Sequence, residues 1–232
     1  MRLARAAWAR RRAGDWILDL SGLLVQGVGV PLLQVTLVAG ALGALAPEWG
    51  GAVPLGLAGG FLASFVLVDY AYYWNHRLLH AGPLWRWHSV HHTAPALDVL
   101  VTARNTLWTP ALILYLWVNG LALFLLADPR GFGVGAALTC LLDVWRHSPW
   151  GPSRASPAGR RLAGVLITPH EHGWHHSASR PGCNFGANLA WWDRLHGTYW
   201  SPPVTAPALG LPRADSAARQ LLWPRAGALG AT

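Results

Sequence analysis

Residues 53–80 read VPLGLAGGFLASFVLVDYAYYWNHRLLH. From about Val53 to Tyr73 the stretch is apolar, and it is long enough to cross a bilayer as a helix. It then runs without interruption into His76-Arg77-Leu78-Leu79-His80, an HxxxH. Residues four apart share a helix face, so the two imidazoles project together from the end of an apolar helix. The rest of the chain can be placed relative to that junction.

Two more histidine boxes follow: His88-Ser89-Val90-His91-His92 and His172-Gly173-Trp174-His175-His176, each an HxxHH. Eight of the 11 histidines lie in the three boxes. At this histidine frequency an HxxHH arises by chance roughly 0.03 times, so two copies plus an HxxxH carry information. Neutral imidazole is a good ligand for first-row transition metals. Eight or more imidazoles exceed what one ion can take, so His76, His80, His88, His91, His92, His172, His175 and His176 imply two metals. His147, in Trp145-Arg146-His147-Ser148, is a ninth candidate ligand. His170 is a candidate ligand or an outer partner. Asp69 lies seven residues before His76, about two turns along the same face, and is expected to orient a histidine; Asp193 is a similar candidate. Asn184 is a candidate to orient a water or a ligand, although Cys183 and Gly186 beside it equally suit a turn. His196 reads as structural. A zinc-protease HExxH is excluded, because after His170-Glu171 the second histidine position holds Trp174. Solvated or storage histidines usually form low-complexity runs, not spaced boxes.

Composition and charge order point to a membrane protein. Of 232 residues, 53% are hydrophobic and 12% charged, about half the ordinary charge content of roughly 25%. Two cysteines, Cys140 and Cys183, are too few and too far apart for a redox pair or a thiolate site. All 18 basic residues are Arg, consistent with GC-rich coding, and 15 Trp suit interfacial belts. Apolar blocks run at about 16–47, 53–73, 107–127 and 132–145, the last short for a full span. The first is too long for a signal-peptide core and is expected to bend at Pro31. Residues 1–14 carry five Arg and no acid, whereas residues 15–72 carry four acids and no base. Residues 146–232 carry nine Arg against three acids. By the positive-inside rule, both termini and all the boxes fall on the cytoplasmic side. The expected layout is a single all-α integral-membrane bundle of about four spans in two hairpins, 16–73 and 107–145. A cytosolic helical cap, 74–106 and 146–201, holds a His-rich di-metal site, and 202–232 is a weakly ordered tail. The net charge of +8 reads as topology and not as nucleic-acid binding, since no nucleic-acid module motif accompanies it. A soluble helical protein with a very apolar core is the competing reading; uncharged stretches near 20 residues speak against it.

These boxes, in this order between apolar hairpins, resemble the fatty acid hydroxylase/sterol desaturase superfamily of integral-membrane, non-haem di-iron oxidoreductases. The resemblance covers about residues 65–200. It rests on Asp69-Tyr70-Ala71-Tyr72-Tyr73-Trp74-Asn75-His76-Arg77, on Leu84-Trp85-Arg86-Trp87-His88, and on Val101-Thr102-Ala103-Arg104. It continues through His147-Ser148, Thr168-Pro169-His170-Glu171-His172, Asn184-Phe185-Gly186 and Trp192-Asp193-Arg194-Leu195. It implies two ferrous ions held by the eight box histidines and His147, with O2 as co-substrate. The implied reaction removes hydrogen from an unactivated C–H of a lipid and ends in a hydroxyl or a double bond. Three positions depart from the pattern: Thr106-Leu107 stands where a His-Pro pair is common, Pro149 where Asn often follows His-Ser, and His196 where Phe is usual. None removes a box histidine.

The chain has no flavin or nicotinamide fingerprint, so a separate ferredoxin- or cytochrome-type electron donor is expected. The expected location is a bacterial inner membrane, with a sterol, fatty acyl or related lipid entering from the bilayer. The alternative is a non-catalytic membrane metal-binding or transport protein. It calls for ionisable groups within the spans, and the apolar blocks hold few.

Overall fold

Ala13–Leu45 forms one continuous helix, α1, of 33 residues, about 50 Å at 1.5 Å per residue. The computed structural model describes residues 11–180, 182–206, 209–212 and 214–225. Among these, α1 is the one helix long and apolar enough to cross a membrane. The charges expected to anchor residues 1–10 lie outside the described residues. Pro31 does not break α1. The helix widens to i→i−5 bonding over Val25–Gly29, where the Val30 N–H reaches the Val25 carbonyl. Pro31 has no N–H for the carbonyl four residues back, and a wider turn accommodates that loss. A second such turn covers Gln34–Ala39. Leu20, Leu24, Val28, Leu32 and Val35 all face outward from α1.

Helix α2 occupies residues 56–79 and also carries a wide turn, Ala63–Val68. The one-turn helix Trp85–His88 and short 3₁₀ turns follow. Helices α3 (Leu114–Leu125) and α4 (Arg130–Arg146) complete the bundle. The third apolar block, expected to be one span over 107–127, is interrupted. One helical turn, Thr109–Leu112, ends at extended Ile113 (φ −85°, ψ 129°) before α3 begins. The Asn75 side chain accounts for the break. It donates to the Leu112 carbonyl (3.0 Å) and accepts from the Leu114 N–H (3.1 Å), replacing helix bonds on both sides.

Helix α1 packs on α3, and α2 packs on α4. The second contact is backbone to backbone: a Cβ on Gly131 would lie 2.0 Å from the Leu57 carbonyl oxygen. The tips of the two hairpins are tied together. The Gly51 N–H donates to Phe124 (2.9 Å), Val53 to Leu125 (2.9 Å), and Ala127 back to Val53 (3.1 Å). At the other end lie the segments expected to form the cap, including α5 (Pro169–His175) and α6 (Ala190–Leu195). Buried ion pairs fasten the start of α1 there. Arg104 bridges Asp19 (2.6 Å) and Asp15 (2.9 Å), while Arg11 bridges Asp19 and Asp98. Each of these charges is paired, as burial requires.

The tail expected to be weakly ordered is folded back over its described part. Helix α7, Ala217–Leu222, is capped by Ser216. The Leu107 N–H donates to Leu221 (3.0 Å) and the Leu211 N–H to the His92 carbonyl (2.8 Å). Arg86 stacks on Trp223, 4.7 Å from the ring centre. Its Ala- and Pro-rich composition hid these long-range partners. Among the described residues there is no strand, only isolated bridges.

Candidate metal centre

His76 and His80 end α2, and His147 directly follows α4. His172, His175 and His176 belong to α5 and its end. Thr168 and Glu171 cap that helix reciprocally, with Pro169 in its first turn, so a locally strong start signal sets the register of the third box. The second box is not one regular helix. His88 closes the turn Trp85–His88, and His91 and His92 sit in the next 3₁₀ turn.

The nine histidines form two groups. One comprises His76, His80, His88, His92 and His175; the other, His91, His147, His172 and His176. Within each group the nearest ring nitrogens lie within 4.8 Å of one another. Close Nε2–Nε2 pairs are His76–His88 (3.0 Å), His91–His147 (3.1 Å), His147–His172 (2.9 Å) and His172–His176 (3.1 Å). Two nitrogens bound at about 2.1 Å and a right angle to one ion stand about 3.0 Å apart.

The hydrogen bonds show why these contacts fit a cation. His91 Nδ1–H donates to the Arg104 carbonyl (3.1 Å), and His147 Nδ1–H to the Asp143 carbonyl (2.8 Å). A carbonyl only accepts, so each neutral ring carries its proton on Nδ1. Both Nε2 atoms are therefore bare lone pairs facing each other at 3.1 Å. Two bare lone pairs at that distance repel unless a cation, a metal ion or a shared proton, lies between them. His76 Nδ1–H is likewise fixed by Phe185 (2.8 Å) and His175 Nδ1–H by Cys183 (2.8 Å). His80 Nε2 and His175 Nε2 are buried without a protein partner. Burial first, then neighbouring imidazoles, pushes His88, His92, His172 and His176 well below their ordinary value. Burial chiefly lowers His175 to about 4. His88, His92, His172, His175 and His176 are thus neutral near pH 7 and free to act as ligands. The residues present fit two transition-metal ions, with imidazole as the donor.

The remaining candidates take other places. His170 Nε2 donates to the Pro202 carbonyl (2.8 Å) and lies outside both groups. Asp69 touches no imidazole. It accepts from the Asn188 N–H (2.8 Å), the Leu189 N–H (3.0 Å) and the Trp192 indole (2.7 Å). Asp193 acts on a histidine through a peptide. It accepts from the Phe185 and Gly186 N–H groups (both 2.7 Å), and the Phe185 carbonyl receives His76. Asn184, at φ 54°, donates to the Glu171 and Trp200 carbonyls (both 2.8 Å) and shapes the loop. His196 stacks on Tyr73, with ring centres 5.0 Å apart. Sequence reasoning missed the backbone carbonyls of Arg104, Asp143, Cys183 and Phe185, which orient four rings. A carbonyl has no residue signature.

A cavity of about 230 Å³ opens on one side of the cluster. His76, His88, His91, His147 and His172 form its inner wall, and Val30, Ile113, Leu116 and Ala136 line its apolar reach between α1, α3 and α4.

Residues 61–198 match the family described as fatty acid hydroxylase. The ornithine lipid hydroxylase OlsE of Rhizobium tropici is 30% identical over 187 residues, covering 76% of this chain and 52% of that protein. An alkylglycerol monooxygenase of Danio rerio is 31% identical over 144 residues, covering 59% and 29%. The C-4 methylsterol oxidase erg25 of Schizosaccharomyces pombe is 26% identical over 155 residues, covering 56% and 44%. The chain therefore spans about half, or less, of the length of these curated relatives. No solved structure matches it.

Proposed function

Because the chain belongs to the fatty acid hydroxylase family, we propose that it is a membrane di-iron oxidoreductase that hydroxylates or desaturates an unactivated C–H of a lipid. The observation that carries this reading is the pair of bare, buried Nε2 atoms of His91 and His147, 3.1 Å apart within a nine-imidazole cluster. Imidazole also suits zinc, copper and nickel, so the choice of iron rests on the family. His76, His80, His88, His92 and His175 would hold one ion, and His91, His147, His172 and His176 the other. Bound iron supplies the reduction of O2 and the removal of hydrogen from carbon. For hydroxylation the balance is C–H + O2 + 2 e⁻ + 2 H⁺ giving C–OH + H2O, the electrons coming from a separate ferredoxin- or cytochrome-type donor.

The protein's part is positioning. Carbonyls hold four of the rings by Nδ1–H, which points their lone pairs inward. The apolar reach of the cavity receives hydrocarbon and brings one carbon to the wall formed by five of the histidines. His80, His92, His175 and His176 do not line the cavity, so O2 and lipid meet the cluster from one side.

We place the two hairpins in the bilayer, with the histidine cluster and both termini on the cytoplasmic side of a bacterial inner membrane. The tied hairpin tips support a common depth: if α1 and α2 cross, the tip between α3 and α4 reaches the same level. The single test is metal analysis joined to lipid profiling. Purified protein should hold about two irons per chain. Cells expressing it should accumulate a lipid heavier by one oxygen or lighter by two hydrogens. One tightly bound metal, or unchanged lipids, would overturn the reading.

A further inference from the structure

The cavity is not lined as a hydrocarbon sleeve. Asn105, which is 6% exposed, lines it, and its carboxamide oxygen is buried without a protein partner. The Tyr115 hydroxyl and the Thr102 hydroxyl, from two further lining residues, are buried and unpartnered in the same way. A buried polar atom left unmet is costly, so three around one cavity call for a ligand that meets them. Two of them sit beside the cluster. Asn105 follows Arg104, whose carbonyl orients His91. The Tyr115 ring stacks on Tyr72 (4.7 Å, 12°), and Tyr72 lies 5.4 Å from the His76 ring.

The chemistry of these atoms narrows the ligand. A carboxamide oxygen only accepts, so the ligand must donate, through O–H or N–H. The two hydroxyls can donate or accept. The cavity also offers no free charge. Among its lining residues Asp143 and Arg146 are paired with each other at 2.7 Å, and Asp143 also meets His147.

We propose that the lipid admitted to this cavity carries a neutral hydrogen-bond donor, a hydroxyl or an amide N–H, close to the carbon presented to the histidines, and that Asn105 and Tyr115 receive it. This rests on the cluster being the oxidising centre and adds the substrate class. A plain acyl chain leaves the three polar atoms unmet, and an ionic headgroup stays outside the cavity.

The experiment compares matched lipids by equilibrium binding to the purified protein in nanodiscs, read by tryptophan fluorescence. Hexadecane-1,2-diol is set against its dimethyl ether, and N-propylhexadecanamide against its N-methyl form. The two pairs separate a hydroxyl donor from an amide donor. In at least one pair the donor-bearing lipid should bind about tenfold tighter. Tyr115→Phe and Asn105→Leu should each cut that preference to threefold or less. Tyr115→Phe removes a single oxygen, so it carries the test if Asn105→Leu does not fold. Equal binding within both pairs, or a preference intact in both variants, overturns the proposal. Oxidation by the iron-loaded protein is scored separately. If the blocked lipids bind and react as well as the donors, the oxidising centre stands and the donor requirement falls. If a donor is preferred but no iron is held and nothing is oxidised, the requirement stands as a binding property and the oxidising centre falls.

Discussion

Asp193→Asn should loosen one metal and spare the other. The carboxylate accepts from Phe185 N–H and Gly186 N–H at 2.7 Å and from the Thr198 hydroxyl at 2.6 Å. In the variant, one oxygen becomes an NH2 facing a donor. One charge-assisted bond, worth about 1.5–3 kcal/mol, is lost outright, and a buried N–H is left unmet. The Phe185 carbonyl then loses its anchor, and with it the 2.8 Å bond that fixes His76. Loss of such an outer partner typically weakens metal binding by about 10–100-fold. His76 belongs to one group only, so the loss should fall on the site of His76, His80, His88, His92 and His175. The assay is anaerobic iron titration of the apoprotein, with circular dichroism to confirm the fold. One of two equivalents should weaken while the other is unchanged. Asp69→Asn is the control: the groups that carboxylate holds make no bond to a ligand histidine, so it should lower thermal stability without selecting one metal. Equal weakening of both irons in folded Asp193→Asn, or none, would refute the route through Phe185.

Three further outcomes are expected. His88→Ala and His175→Ala should each abolish lipid oxidation, whereas His170→Ala should keep the full iron content, measured by elemental analysis and product mass. The folded-state lowering of His175 from 6.5 to about 4 means the unfolded chain binds more protons between those values. Apoprotein stability should therefore be full above pH 6.5 and fall as pH drops toward 4; an unfolding midpoint flat across that window would contradict the neutral-ligand assignment. Gly131→Ala puts a methyl 2.0 Å from the Leu57 carbonyl and should cost about 1–3 kcal/mol as α2 and α4 separate, seen as a lower midpoint in thermal unfolding.

The sequence carried the metal centre better than the framework around it. Imidazole is chemically distinctive, so the boxes and His147 could be picked out by residue type and spacing, and the structure brings all nine together. What orients them was not legible. Asp69 and Asp193 were expected at the histidines because carboxylates are the visible partners, yet backbone carbonyls occupy those places. Asp193 reaches His76 only through a peptide. The break at Ile113 was equally hidden. It is made by Asn75, whose helical spacing gives no hint of the contact with Leu112 and Leu114. The contacts of the tail's described part were hidden for the same reason, since its composition reads as loose and its partners, such as Leu107 and His92, are remote in sequence.

Successive residues on a helix point about 100° apart, while residues four apart differ by about 40°. A histidine doublet therefore cannot easily serve one ion, but the outer pair of an HxxHH can. The third box, on α5, follows that geometry, and the second divides the same way although it breaks between a helical turn and a 3₁₀ turn. His88 and His92 go to one group and His91 to the other; His172 and His176 go to the second group and His175 to the first. Each HxxHH lends its i, i+4 pair to one group and its middle histidine to the other, in opposite senses. His76 and His80 reinforce the first group, and His147 the second. The doublets His91-His92 and His175-His176 each straddle the two groups, which forces the groups to be neighbours. Closeness of the two groups is thus written in the HH doublets themselves, and a box reduced to HxxxH, as in residues 76–80, feeds only one of them.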